Sequence, residues 1–216
     1  MTDLTNLSEP PLSCDLCPRL VDFRRQNERA YPDFFNAPVP SFGDDKARLL
    51  IVGLAPGLKG ANWSGRPFTG DYAGDLLYAT LAKFGWSRGT YDARPDDGLA
   101  LDGAMITNAV RCVPPQNKPT TSEIKECRPL LINRMAELPN LSVILVLGRI
   151  AHDQVLTAIG AKRSAFPFGH GADHEITLPD GRTVRMVDSY HCSRYNTNTG
   201  RLTEAMFDAV FETIAR

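Results

Sequence analysis

Four cysteines carry the plainest chemistry in this chain. Cys14 and Cys17 form a C-x-x-C in "CDLCPRL", while Cys112 and Cys127 bracket the 14 residues "VPPQNKPTTSEIKE". Scattered cysteines often serve as small buried hydrophobes. Here Cys112 closes an apolar strand and Cys127 lies on a helix beginning near Thr121, so one loop brings both to one place. A shared metal centre is therefore the expectation. Thiolate zinc sites usually use two tight C-x2–4-C knuckles, and this chain has one. A proline follows Cys17, as it follows a cysteine in ferredoxin-type ligation. The spacing favours a [4Fe–4S] cluster over zinc. Cys192, alone in "YHCSRYN", reads as a free thiol.

A second group of residues lies in "GLAPGLKGANWSGRPFTGD", Gly53 to Asp71, directly after the apolar run "RLLIV". Five glycines in 19 residues suggest a loop that approaches a ligand closely. It is not a P-loop: Lys59 is followed by Gly60, so no hydroxyl is placed to hold Mg²⁺. The dinucleotide pattern G-x-G-x-x-G also fails. What remains is a long loop holding Trp63 and Phe68 and ending in Asp71, at the expected start of a helix.

The elements that must position these residues alternate between strand and helix. "ARLLIVGLAP", "AMITNAVRC" and "LSVILVLG" are apolar runs bounded by turn residues, the pattern of strands buried on both faces. "LVDFRRQNERA", "DYAGDLLYATLAKFG", "RIAHDQVLTAIG" and "TEAMFDAVFETIAR" read as helices. "TSEIKECRPLLINRMAEL" is another, with Glu123 near a capping position. "HEITLPDGRTVRMVDSY" holds Pro-Asp-Gly between two extended runs, a hairpin signal. "YPDFFNAPVPSFGDDKA" and "ARPDDGLALDG" read as loops. The order implies one α/β domain over residues 1–216, with a central, mostly parallel four-stranded sheet flanked by helices and a small β-hairpin in the C-terminal third. Ligands of such sheets bind beyond the carboxyl ends of the strands. The glycine loop, Asn108 and His191 all fall at such ends.

Composition narrows the class. A formal net charge of −1 excludes a uniformly basic surface, but not a local basic groove. No apolar run approaches the roughly 20 residues of a membrane span, and "MTDLTNLSEPPLSC" lacks an apolar signal core. A cytoplasmic protein, monomeric by default, is expected.

Three motifs together carry a family likeness: "GLAPG" with "GRPFTGD" and "GDLLY"; "TNAVRCVPPQNKPT" with "CRPLL"; and H-x-S-x-x-N-T-N-T-G-R-L-T from His191. With the four cysteines, they resemble the type-B, or family 5, uracil-DNA glycosylases, from the iron–sulfur branch of the uracil-DNA glycosylase superfamily. The likeness runs from Cys14 to about Thr203. It implies an enzyme that flips uracil out of DNA and hydrolyses its N-glycosidic bond to leave an abasic site. It also implies tolerance of hypoxanthine, xanthine or mismatched thymine. Phe68 would stack on the base and Asn108 would read its edge, with Ala55 and Gly57 lining the base site. His191 would hydrogen-bond uracil O2, and Asp71 would position a water, with Asp75 as the second candidate acid. Many relatives carry an acid or amide where this chain has Ala55, which moves the burden to Asp71. Ser193, Arg194, Tyr195 and Lys118 would contact DNA, Arg194 or Tyr195 as a wedge. Cys192 replaces a proline usual in the third motif. His152, His170 and His174 are expected to be structural. The competing functions are a non-catalytic iron–sulfur protein that binds nucleic acid or transfers electrons, and a zinc-stapled binding module.

Overall fold

The three uncharged runs "LLIVG", "AMITN" and "VILVL" become strands with every residue buried, and they set the architecture. A computed structural model describes residues 2–215. In chain order the elements are α1 (Pro18–Ala30), β1 (Phe42–Gly43), β2 (Leu49–Gly53), α2 (Ala61–Ser64), α3 (Tyr72–Lys83), β3 (Ser87–Arg88), β4 (Ala100–Leu101) and β5 (Ala104–Asn108). They continue with α4 (Thr121–Glu137), β6 (Val143–Leu147), α5 (Arg149–Ala158), β7 (Asp173–Thr177), β8 (Thr183–Ser189), α6 (Arg194–Asn198) and α7 (Glu204–Ala215).

The main sheet has the order β1-β5-β2-β6-β8-β7. Its inner four strands are parallel, as the sequence pattern requires. Short antiparallel strands extend it to six at both edges, β1 beside β5 and β7 beside β8. The expected hairpin is β7–β8, and its second arm is itself the fourth parallel strand. β3 and β4 form a separate two-stranded ribbon in a region the sequence reads partly as loop.

Alternate side chains of each inner strand enter opposite cores. Leu49, Ile51, Ile106 and Leu145 pack toward α3 and α7 with Leu77, Leu81, Phe207 and Phe211. Leu50, Val52, Ile144 and Val146 face α4 and α5 with Leu131, Met135, Val155 and Leu156.

Local chemistry fixes the helix starts. Pro18 opens α1 at the first helical position, where its missing N–H costs nothing. Thr120 and Glu123 form a capping box on α4. Asp71 caps α3 by accepting from the Gly74 amide.

The N-terminal arm is tied across the molecule. Glu9 accepts from Arg111 at 3.0 Å and from Arg134 at 2.6 Å. The Asn133 amide donates to the carbonyls of Leu4, Thr5 and Leu7.

Candidate active site

The parallel register puts Asn108 opposite Gly53 and Leu147 opposite Ser189. The carboxyl ends of four strands therefore open onto one edge. A cavity of about 420 Å³ lies there, lined by Ala55, Gly57, Phe68, Asp71, Asn108 and His191, with Asn117, Ser193 and Arg194 among the other walls. Six of the residues singled out by sequence for catalysis or base binding thus surround one hollow.

Each side chain is held for a physical reason. Asn108 closes β5 and is 3% exposed, yet its Oδ1 finds no hydrogen-bond partner among the described residues. A buried acceptor left unmatched costs free energy unless a ligand completes it. The Phe68 ring is 7% exposed, and its centroid lies 5.9 Å from that of His191, with the planes inclined by 31°. Phe68 itself holds φ +54°, a backbone conformation that bulky residues rarely adopt.

Asp71 both caps a helix and lines the cavity. Burial pushes its carboxyl above the usual range, against the pull of the Gly74 and Ala73 amides; Asp75 adds a like charge that raises it further. The other side of the carboxylate lies against the glycine loop, and a Cβ on Gly60 would run into it. Asp75 does not share the site. Asp71 sits outside the first turn as its cap, so a four-residue spacing no longer means a common face. Asp75 is exposed and lines a different surface groove.

His191 follows β8, and its backbone carbonyl accepts from the Asn196 carboxamide at 2.8 Å. Burial alone, with no charge or hydrogen bond opposing it, holds its imidazole below the ordinary histidine pKa. The ring is neutral at physiological pH and able to donate one N–H. Beside it, the Cys192 thiol is fully buried, and burial together with the nearby Asp71 carboxylate pushes it up.

Of the residues expected to meet DNA, Ser193 and Arg194 line the cavity. Ser193 caps the short helix α6, which forms within a segment the sequence marks only as a motif. The Arg194 guanidinium rests 5.4 Å over the Tyr72 ring. Tyr195 does not line the cavity; it is 72% exposed. Lys118 is exposed, and its carbonyl accepts from Arg19. Asn117 is a lining residue that sequence reasoning placed only near the cysteines. It holds a φ of +57°, and an asparagine in a loop gives little warning of its place in the lining.

The remaining histidines do not line the cavity. His152 places Nδ1 2.7 Å from Asp188 and Nε2 2.9 Å from the Phe166 carbonyl. Burial pulls its pKa down, but the Asp188 carboxylate and the Phe166 carbonyl overcome this and raise it. His170 stacks on Tyr190. His174 lies 3.5 Å from Asp188.

The four cysteines converge at the far side of the glycine loop. Cys14, Cys17, Cys112 and Cys127 line one small hollow with Leu4, Leu16, Leu20, Val21 and Glu126, and all four are free thiols. Burial pushes Cys17 up to about 12, and the neighbouring cysteines push the same way. Four cysteine sulfurs around one hollow could hold a cationic group as thiolates. Tetrahedral zinc with bonds of about 2.3 Å would draw the sulfurs to within about 3.8 Å of one another. Among the described residues, only His152, His174 and Asp188 bring three ligand atoms within 4.8 Å of each other. No three of the four cysteine sulfurs lie within 4.8 Å of one another.

Comparison with known proteins agrees with this geometry. The family described as the Uracil DNA glycosylase superfamily matches residues 40–215. The chain is 46% identical over 200 residues to a type-5 uracil-DNA glycosylase of Thermus thermophilus, covering 90% of this chain and 89% of that protein. It is 40% identical over 206 residues to a type-5 uracil-DNA glycosylase of Mycobacterium tuberculosis, covering 92% and 75%. A type-5 uracil-DNA glycosylase of Pyrobaculum aerophilum is 39% identical over 196 residues, covering 89% and 83%. A family match over residues 40–215 and relatives 39–46% identical over most of the chain show that the chain belongs to the uracil-DNA glycosylase superfamily.

Proposed function

We propose that this protein removes uracil from DNA by hydrolysing the N-glycosidic bond, leaving an abasic site. One observation carries the reading: Asn108, whose buried Oδ1 is unmatched, lines the same cavity as Phe68, His191 and Asp71. A carboxamide offers an acceptor for uracil N3–H and a donor for O4. Phe68 stacks on the extruded ring. Flipping costs a few kcal/mol, which such contacts offset.

As the bond to C1′ lengthens, the sugar gains positive charge and the base leaves as an N1 anion. The neutral His191 donates to O2 and stabilises that anion. The Asp71 carboxylate offsets the sugar charge and orients a water. The water oxygen bonds to C1′ and its proton passes to the carboxylate, whose raised affinity for protons suits a base. Arg194 and Ser193 meet the DNA backbone at the mouth, and Arg194 or the exposed Tyr195 enters the gap left by the base.

We further propose that Cys14, Cys17, Cys112 and Cys127 hold a [4Fe–4S] cluster. It would staple the N-terminal arm to α4 and to the loop carrying Asn117. We extend the substrates to hypoxanthine, xanthine and mismatched thymine, and read the protein as a cytoplasmic monomer. No helix among the described residues is long and apolar enough to cross a membrane.

The test is a uracil-containing duplex treated with the purified protein and then alkali. Strand breaks at the uracil are expected, and Asp71→Asn should slow them by roughly 10²–10⁴-fold. An unchanged rate in that variant would remove Asp71 from the mechanism. A panel of the other lesions, iron and sulfide analysis, and sedimentation decide the remaining assignments.

A further inference from the structure

Phe68 occupies the third position of a four-residue turn closed by the Thr69 amide on the Arg66 carbonyl at 3.2 Å. Proline stands second, and φ is positive at the third, where glycine or asparagine is usual. Nothing local favours a phenylalanine there, so the surroundings must impose the conformation.

The surroundings are specific. The Tyr78 hydroxyl donates to the Pro67 carbonyl at 2.6 Å, and the Tyr91 hydroxyl to the Phe68 carbonyl at 3.3 Å. The two phenol rings stack with centroids 4.5 Å apart. Arg66 is buried and forks onto Asp97 at 2.8 and 2.7 Å, while its Nε bonds the Thr69 hydroxyl at 2.7 Å. Its guanidinium lies 5.1 to 5.7 Å from the rings of Phe42, Tyr78 and Tyr91. The Asp97 side chain is fully buried and also accepts from the Asp92 and Leu99 amides. A buried ion pair is poor evidence for stability but well suited to selecting one geometry.

We propose that Asp97, outside the cavity, is a positioning residue for base excision. Through Arg66 it locks the turn that presents the Phe68 ring to the flipped base. This rests on the glycosylase reading. The segment from Tyr91 to Asp97 is thus part of the base-stacking apparatus, though none of it lines the cavity.

Asp97→Asn keeps the shape and removes the charge. Single-turnover excision of uracil from a duplex should slow at least tenfold, while the Kd for that duplex stays within twofold. In a Phe68→Ala background the same substitution should cost less than twofold, because the ring it positions is gone. Should Asp97→Asn not fold, Tyr91→Phe removes one hydroxyl of the same clamp and is read identically. A fluorine label on the Phe68 ring gives an activity-free reading: its ¹⁹F resonance should shift or broaden in the variant. An unmoved resonance, a rate within twofold of the parent, or an equal slowing in both backgrounds would overturn the proposal. Absence of uracil release by the unsubstituted protein would instead defeat the glycosylase reading, and the fluorine signal would still decide whether Asp97 sets the ring.

Discussion

At the scale of residues, Asp71 shows how a site is kept against the interest of the fold. Burial raises its carboxyl pKa, and the sign of the consequence follows from linkage. A raised carboxyl contributes fully to stability below its ordinary value of about 3.9. That contribution is lost as pH rises through the folded value, so at neutral pH the buried charge destabilises the protein. Asp71→Asn retains the helix cap, since asparagine caps as well as aspartate. The variant should therefore melt at a higher temperature than the parent at pH 7 while losing most activity. The gap in Tm should close as the pH approaches 3, and thermal scans across that range check it. A variant no more stable at pH 7 would show that the carboxylate is better solvated than its burial implies.

At the scale of elements, a helix cap and a loop glycine do different work. Thr120 caps α4 on the far side of the cysteine hollow, and Thr120→Ala should cost about 1 kcal/mol in denaturant titration with the excision rate unchanged. Gly60→Ala should do the reverse. Its methyl would meet the Asp71 carboxylate, and displacing a reacting group by about 1 Å costs on the order of 10²-fold in rate. Much of this level is legible in the sequence. "LLIVG", "AMITN" and "VILVL" announce buried parallel strands, Thr120 with Glu123 announces a cap, and Pro-Asp-Gly announces the hairpin. The Arg66–Asp97 clamp is not legible, because its partners lie 31 residues apart in segments with no periodicity. Asn117 is hidden for a related reason: a positive φ at a non-glycine residue leaves no mark on composition. Asp75 misleads because a helix cap lies off the wheel on which spacing is counted.

At the scale of the molecule, one acid joins the arm to the body. Arg111 and Arg134 are 1% and 9% exposed as side chains, and Glu9 is 33% exposed. Breaking a fully buried pair costs about 3–5 kcal/mol. Solvent reaches Glu9 and reduces this, so Glu9→Gln should lower unfolding free energy by about 2 kcal/mol, read from urea titration. A loss below about 0.5 kcal/mol would mean that the arm docks by its apolar residues alone. The same junction fixes a timetable. Glu9 precedes Arg134 by 125 residues, and ribosomes add about 5–20 residues per second. Glu9 thus waits on the order of ten seconds for Arg134 to be made. Over much of that interval Cys14 and Cys17 are already synthesised while Cys127, the last of the four converging cysteines, is not.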